Sequence, residues 1–236
     1  MYGSLSYMCG RYGRRADKQR IAEWFQTHNT DVFNDPEPLP PSYNIAPQTF
    51  QPVVRLDPET GERELTFMRW GLVPFWSKDG TAAFNTINAK SETVATSPAY
   101  REPWKRRRCL VPADWFYEWK KIDEKTKEPY AISLRDGDLF AFAGLWDTWK
   151  NKASGEELQT YTILTTDPNE LLKSIHNRMP VILSQKDYSR WMAPAEPSHL
   201  PVDLLRPYPA EEMKAWKVSR AVGNVQNNNP GLIAPV

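Results

Sequence analysis

Prolines constrain this chain more than any other feature of its sequence, because 21 of them are spread through 236 residues. Proline fixes its own φ angle, lacks an amide donor and breaks the interior of a helix. This density therefore predicts many irregular loops and excludes a helical bundle. Between the loops, short runs of apolar, aromatic and β-branched residues are typical of strands. The predicted strands are 51–55, 65–70, 109–111, 116–119, 130–134, 139–145, 161–165 and 180–183.

Three segments carry signals for the start of a helix. Asp17 is a suitable cap for a helix over 17–25, and Asp167, which is followed by a proline, predicts a helix that ends near His176. A third start lies at Ser184. The Asp-Gly pair at 136–137 lies between two strand candidates and predicts a hairpin. Together these signals predict one α+β domain with a mainly antiparallel β core and peripheral helices.

Composition excludes several classes of protein. The charges nearly cancel, with 30 basic against 29 acidic side chains, so a surface for a polyanion must come from local clustering. No apolar run approaches the roughly 18 residues of a membrane span, and the first residues lack the pattern of a signal peptide. The two cysteines, Cys9 and Cys109, exclude a disulfide scaffold and favour a reducing cytoplasm. Neither has metal-ligand spacing, so no metal or other cofactor is predicted.

Cys9 is the candidate nucleophile. It directly follows Met8, so a start at Met8 or the loss of the first eight residues would give it a free α-amine. An α-amine has a pKa well below that of a lysine, so much more of it is neutral and nucleophilic at pH 7. Its neighbouring thiol can close a ring on the imine that the amine forms with an aldehyde. The alternative is a buried, inert cysteine, which is the commoner role of a free thiol.

Three further residues are candidates for acid–base or positioning chemistry. Asn88 lies close to a lysine and a glutamate, although this segment also suits a loop that leads into a capped helix. Glu118 is flanked by aromatic residues, which can raise the pKa of a carboxyl, but it could equally be an outward strand residue. His176 is predicted at a helix end beside Arg178, and a capping or core histidine is the alternative.

Basic and aromatic residues suggest a route for a nucleic acid. The run 105–108 is the densest basic cluster, and with Arg11, Lys90 and Arg178 it could bind phosphates. Phe75 and Trp76 follow a Gly-Leu-Val-Pro segment and could stack against bases. The alternatives are a solvated run of charges and aromatic packing of a loop onto the core.

Eight short motifs in a fixed order resemble the SRAP family, the SOS-response-associated peptidases or abasic-site-processing proteins. The resemblance covers the chain from Met8 to its carboxyl end. The motifs are MCGR at 8–11, YNIAP at 43–47, RWGLVP at 69–74, INA at 87–89, SET at 91–93, WFYEW at 115–119, IHNRMP at 175–180 and VSRAVGNV at 218–225.

The resemblance implies a fold and a function. Such proteins have barrel-like sheets, bind single-stranded DNA or single-strand/double-strand junctions as monomers without a cofactor, and crosslink to abasic sites through an amino-terminal cysteine. Carried over by motif, the catalytic residues are Cys9, Asn88, Glu118 and His176. The implied DNA-binding residues are Arg11, Asn44, Pro47, Phe75, Trp76, Lys90 and Arg178. Localisation in the cytoplasm, on the nucleoid when bound to DNA, follows from that function.

Two departures from the family pattern bear on these expectations. Seven residues precede Met8, so we expect residues 1–7 to be an extension that is absent or removed in the mature protein, with 8–236 forming a single SRAP domain. Lys90 stands where the family usually has arginine, which keeps the charge and loses the bidentate fork. Two other functions remain open on the sequence: a cysteine hydrolase that uses Cys9 with His176, and a non-catalytic nucleic-acid-binding module.

Overall fold

Two β-sheets carry most of the chain in the computed structural model, which describes residues 10–28, 38–80 and 86–236. The first sheet has five strands, all antiparallel to their neighbours. In spatial order these are β13 (Met213–Lys217), β8 (Lys127–Leu134), β7 (Trp115–Lys121), β1 (Tyr12–Arg14) and β2 (Ser42–Ile45).

The second sheet has eight strands and is mixed, because β10 runs parallel to both β4 and β5. A further pairing of β10 with β9 closes part of the sheet on itself and produces a partial barrel. The strands are β3 (Phe50–Leu56), β4 (Arg63–Trp70), β5 (Asn88–Lys90), β6 (Arg108–Ala113), β9 (Phe140–Lys150), β10 (Glu157–Thr166), β11 (Met179–Pro180) and β12 (Ile182–Leu183).

The helices are short and peripheral. They are α1 (Lys18–Phe25), α2 (Arg101–Arg106) and α3 (Tyr188–Met192). Single 3-10 turns lie at Leu172–Ser174, Gln185–Asp187, Pro197–His199, Val202–Leu204, Ala210–Glu212, Arg220–Gly223 and Pro230–Ile233. Within the described ranges, no helix has the length and apolar content needed to cross a membrane. This architecture confirms the predicted α+β class with a mainly antiparallel, barrel-like core.

The alternation of side chains along the strands separates the core into layers. Along β6, Cys109 and Val111 belong to a cluster shared with the five-stranded sheet, whereas Leu110 belongs to a cluster shared with the helices. A third cluster lies on the other face of the five-stranded sheet, where Trp115 and Tyr117 pack against the C-terminal segment. Both faces of β7 are therefore buried.

The helix predicted after Asp167 is wrong. The structure has a single 3-10 turn, Leu172–Ser174, and the amide of Leu172 donates to Oδ1 of Asn169 at 3.0 Å. The carboxylate of Asp167 instead binds the guanidinium of Arg178. The helix expected from Asp17 is confirmed as α1, with Asp17 accepting from Arg20 N at 2.8 Å.

The hairpin predicted at 136–137 is also wrong, because β8 and β9 belong to different sheets and Gly137 lies in the connection between them. The basic run 105–108 is not a continuous surface path either. Arg108 is buried, and its guanidinium donates to four backbone carbonyl oxygens in and around α2 and α3. Arg107 is paired with Asp147 at 3.2 Å.

Candidate active site

The carboxyl end of β10 brings two of the candidate segments together. Thr165 pairs with Lys90 of β5 and with Pro180 of β11. The strand that begins with Asn88 and the turn that carries His176 therefore flank the same end of β10. No local sequence signal shows this arrangement, because it depends on strand pairing between distant segments.

Asn88 opens β5 in a half-buried position opposite Ile163. Its backbone carbonyl accepts a hydrogen bond from the hydroxyl of Tyr100 at 3.0 Å, which together with the strand pairing fixes the main chain. Its side-chain Nδ2 lies 3.5 Å from the carbonyl oxygen of Ile163, at the long limit for a hydrogen bond. The amide is thus held on a rigid backbone by a weak contact, which leaves it able to reorient toward a bound group.

Glu118 lies in β7, where it pairs with Tyr130 of β8. Its side chain shares a face of the strand with Phe116, which packs in the cluster between the two sheets. Glu118 is 1% exposed, so the alternative of an outward, solvated glutamate is wrong. A carboxylate buried in this way is shielded from bulk water and is a candidate for proton transfer to or from a bound group.

His176 lies in the turn between the Leu172–Ser174 helix and β11. Its backbone amide donates to the carbonyl of Leu172 at 2.8 Å, and its Nδ1 accepts from the backbone amide of Arg178 at 3.2 Å. The pKa of the imidazole is lowered: burial is the largest cause, the hydrogen bond with the backbone of Arg178 opposes it, and the ammonium of Lys127 in β8 adds a smaller lowering. His176 is therefore neutral at pH 7, and because Nδ1 is an acceptor, the ring proton is on Nε2.

Cys9 lies outside the described residues, and the chain is described from Gly10 onward. The amide of Tyr117 donates to the carbonyl oxygen of Arg11 at 3.0 Å, so the pairing of β1 with β7 extends to the residue beside Gly10. A Cβ placed on Gly10 would lie 3.9 Å from Cδ1 of Ile87, directly ahead of β5. Gly10 is therefore flanked by the strand of the buried glutamate and by the segment that leads into β5.

The second cysteine has the properties of an inert thiol. Cys109 is fully buried in β6, and burial raises the pKa of its thiol well above the ordinary range. A thiol held in its protonated form inside the core is a poor nucleophile. Cys109 is therefore excluded as the reactive cysteine.

Arg11 and Asn44 hold the C-terminal segment. Nη1 of Arg11 donates to Oδ1 of Asn44 and to the carbonyl oxygen of Val222, both at 2.8 Å. Asn44 is 6% exposed, and its Nδ2 lies 3.2, 3.0 and 2.9 Å from the carbonyl oxygens of Val222, Asn224 and Asn227. The amide donor of Asn44 is thus committed to the protein, whereas the guanidinium of Arg11 is half-buried and retains access to solvent.

The other two predicted phosphate-binding cations differ in their surroundings. Lys90 is exposed at the end of β5. The side chain of Arg178 is 12% exposed and binds the carboxylates of Glu92 and Asp167. Lys90 and Arg178 flank the same end of β10, yet Lys90 faces solvent and Arg178 is paired with two carboxylates.

Phe75 and Trp76 are 58% and 56% exposed, so the alternative that they pack onto the core is wrong. Their turn is anchored to β9. The amide of Phe75 lies 3.4 Å from Oδ2 of Asp147, and Nε1 of Trp149 donates to the carbonyl of Ser77 at 2.8 Å. The two aromatic rings are therefore presented to solvent from a fixed turn.

Comparison with known proteins identifies the family of this chain. The profile of the SOS response associated peptidase (SRAP) proteins matches residues 8–225. The chain belongs to the SRAP family. It is 43% identical to the Abasic site processing protein YoqW of Bacillus subtilis, over 96% of this chain and 99% of that protein. It is 34% identical to the Abasic site processing protein HMCES of Pongo abelii, over 98% of this chain and 73% of that protein.

A crystal structure of a Bacteroides thetaiotaomicron protein has the same fold. Its TM-score is 0.84 at 27% sequence identity, and the match covers 97% of the SRAP chain and all 100% of that chain. Among the residues that the structure describes, no group of histidine, cysteine and acidic side chains is arranged to hold a metal ion.

Sequence reasoning misses two residues that shape the SRAP site. Asp147 anchors the turn of Phe75, and Phe50 adds an exposed aromatic ring at the start of β3. Glu92 stands in the SET motif, but its ion pair with Arg178 is visible only in the structure. Pro47 lies in the turn before β3, which is tied to the end of β4 by a hydrogen bond from Gln48 N to the carbonyl of Trp70 at 2.9 Å. Asp147 carries no motif of its own, and its contact with Phe75 joins segments that are distant in sequence.

Proposed function

We propose that this SRAP chain processes abasic sites in DNA by bonding Cys9 covalently to the aldehyde of the ring-opened sugar. The relatives named abasic site processing proteins support the substrate. The observation that carries the proposal is the convergence around Gly10, the residue after Cys9. Gly10 lies between the strand of Glu118 and the segment that leads into Asn88.

The proposed reaction needs no oxidant, reductant or metal. The neutral α-amine of Cys9 adds to the aldehyde carbon, and loss of one water gives an imine. The thiol then adds across the C=N bond, so that a C–S bond forms and the thiol proton ends on nitrogen. The product is a five-membered thiazolidine. Because the thiol and the imine belong to one residue, ring closure has the high effective concentration of an intramolecular step.

Each of the three described candidates has a role in this scheme. The side-chain amide of Asn88 orients the α-amine of Cys9. The buried carboxylate of Glu118 accepts the proton that must leave when the closed sugar opens to its aldehyde. His176 carries a proton on Nε2 and is neutral, so it hydrogen-bonds the oxygen that leaves as water and relays protons when the imine forms or reverts.

Self-processing is the second part of the proposal. While any residue precedes Cys9, its nitrogen is an amide and cannot attack an aldehyde. Hydrolysis of the bond between Met8 and Cys9 adds one water, leaves a carboxylate on Met8 and frees the amine of Cys9. We assign the activation of that water to Glu118, because its strand pairs with the chain beside Gly10.

DNA binding draws on the exposed groups around this centre. Lys90 and the accessible part of Arg11 bind backbone phosphates. Phe75 and Trp76, together with Pro47 in the turn before β3, stack against bases or disrupt the stack on the duplex side of a junction. Asn44 contributes indirectly, because it holds Arg11 and the C-terminal segment in place.

The proposal is tested by incubating the chain with a single-stranded oligonucleotide that contains one abasic site. We expect an adduct that survives heating in denaturant, with a mass equal to protein plus DNA minus one water. A lysine imine has the same mass but hydrolyses without reduction. Protein with an acetylated α-amine is the control, and an equally stable adduct from that protein would refute the aminothiol reaction. Turnover of unrelated peptides would instead favour a general cysteine hydrolase.

Replacing Phe75 or Trp76 by alanine is expected to weaken binding to junction DNA by about 1–3 kcal/mol for each base that no longer stacks on a ring. Because both rings are exposed, the melting temperature should stay close to that of the wild type. Fluorescence anisotropy with a junction and with a plain single strand measures the effect. Val202→Ala, which trims another exposed apolar side chain, is the matched control. Equal losses in all three variants would rule out a specific stacking role.

A further inference from the structure

A row of four paired residues crosses the second sheet and ends at an exposed aromatic ring. Phe50 of β3 stands opposite Arg69 of β4. Thr160 of β10 pairs with the same arginine, and Asp147 of β9 pairs with Thr160. Residues that stand directly opposite on neighbouring strands project from the same face of a sheet. The four side chains, called the Phe50 row below, therefore lie side by side on one face.

Two members of the Phe50 row hold the segment that carries the exposed rings of Phe75 and Trp76. Oγ1 of Thr160 accepts a hydrogen bond from the amide of Val73 at 2.9 Å. Oδ2 of Asp147 lies 3.4 Å from the amide of Phe75. The segment that presents the two rings therefore runs over the face of the sheet on which Phe50 also projects.

The strand pairing also gives the distance between Phe50 and this segment. Neighbouring strands lie about 4.8 Å apart, so Phe50 is roughly 10 Å from Thr160 and roughly 14 Å from Asp147 along the row. Successive bases of one strand in a duplex are about 3.4 Å apart. The separation between Phe50 and the segment of Phe75 therefore corresponds to about three to four stacked bases.

Phe50 is presented to solvent by a fixed main chain. Its side chain is 55% exposed. The turn before it is bonded to the end of β4, because Gln48 N donates to the carbonyl of Trp70 at 2.9 Å and Trp70 N donates to the carbonyl of Thr49 at 3.0 Å. A ring on a fixed backbone loses little conformational freedom when a ligand contacts it. Pro47, which is proposed to contact DNA, lies three residues before Phe50.

A cation stands beside this ring. Nη2 of Arg69 donates to the carbonyl oxygen of Gly80 at 3.1 Å, a contact that leaves the positive charge of the guanidinium unneutralised. A single exposed aromatic residue is common on protein surfaces and by itself indicates no site. An exposed ring beside a cation, on the face that carries two further exposed rings, is the combination with which proteins bind single-stranded nucleic acids.

We infer that Phe50 is a base-stacking residue, which contacts a base about three to four nucleotides away from the base at Phe75 and Trp76. The inference rests on the proposed function, because it extends the DNA contact of the same chain. Phe50 takes no part in the reaction at Cys9. Its loss therefore weakens DNA binding and leaves the rate of adduct formation at saturating DNA unchanged.

Three replacements of Phe50 test the stacking role in anisotropy measurements on undamaged junction DNA. Phe50→Ala should weaken binding by about 5- to 150-fold, the equivalent of one lost base stack. Phe50→Leu keeps much of the apolar area without a ring and should lose nearly as much, whereas Phe50→Trp should bind within about twofold of the wild type. Because the side chain is exposed, the melting temperature should not move in any variant. Val202→Ala is the control and should bind like the wild type.

Shortening the DNA by one nucleotide at a time, from each end in turn, locates the base. The wild type should lose affinity in one step when that base is removed, and Phe50→Ala should lack this step. Trp76→Ala should lack a different step, about three to four nucleotides away. Wild-type affinity of Phe50→Ala at every length, or full recovery by Phe50→Leu, would overturn the inference while leaving the proposed function intact. Failure of the wild type to form an adduct on abasic DNA would instead reject the proposed function.

Discussion

Replacing Cys9 by alanine is expected to abolish the heat-stable adduct on abasic DNA completely. The proposed thiazolidine needs the thiol to close the ring, and without it the α-amine can form only an imine that water reverses. Affinity for an undamaged single strand should be unchanged, because the proposed phosphate and stacking contacts come from other residues. Denaturing gels and intact mass measure the adduct, and fluorescence anisotropy measures the affinity.

Cys109 provides the matched control for this prediction. It is the second of the two cysteines, it lies in the core, and burial raises the pKa of its thiol. Cys109→Ala should give the wild-type yield of adduct and lose about 1 kcal/mol of stability from reduced packing. A stable adduct from Cys9→Ala that disappears in Cys109→Ala would reverse the assignment of the nucleophile. An adduct from both single variants would point to a lysine.

Replacing Glu118 by glutamine is expected to slow adduct formation by about 10²–10⁴-fold, the usual contribution of a positioned proton-transfer group. Glutamine has nearly the same shape as glutamate, so the packing of this fully buried side chain is kept while its ability to accept a proton is lost. The melting temperature should therefore stay close to the wild-type value. Single-turnover kinetics with saturating abasic DNA measure the rate.

The rate of Glu118→Gln must be measured on protein that already begins at Cys9. This is because we expect the variant also to fail to remove the residues before Cys9. Intact mass should show those residues retained in Glu118→Gln and lost in the wild type. To measure crosslinking alone, both proteins are prepared with Cys9 as the first residue, released from a cleavable tag. Equal rates under those conditions would exclude a role in the crosslinking step and restrict Glu118 to self-processing.

Local signals in the sequence predict local structure well. Asp17 was correctly expected to cap a helix, because a cap involves only the next turn of the chain. The expectation fails at Asp167, where Arg178 binds the carboxylate and Asn169 accepts the hydrogen bond from the amide of Leu172. The hairpin predicted at 136–137 fails for a related reason: a change of chain direction depends on local residues, but the choice of strand partners depends on the whole fold.

The candidate site also shows which features depend on local sequence and which depend on the whole fold. Its residues could be proposed from motifs, but their surroundings could not. The face of β7 that carries Glu118 was undecidable, because the core covers one face of this strand and the C-terminal segment covers the other. The ion pair of Arg178 with Glu92 and the burial of Arg108 depend on contacts with distant segments, and no local pattern predicts them.

The position of β1 has a mechanical consequence. This short strand lies inside the five-stranded sheet, where Tyr12 pairs with Phe116 on one side and with Ile45 on the other. A DNA strand joined to Cys9 would pull on this interior strand whenever a translocating motor reached the adduct. Interior strands do not fray as edges do, so extraction requires both ladders to break together. Such an anchorage would withstand tension, and its removal would depend on chemical reversal or on digestion of the protein.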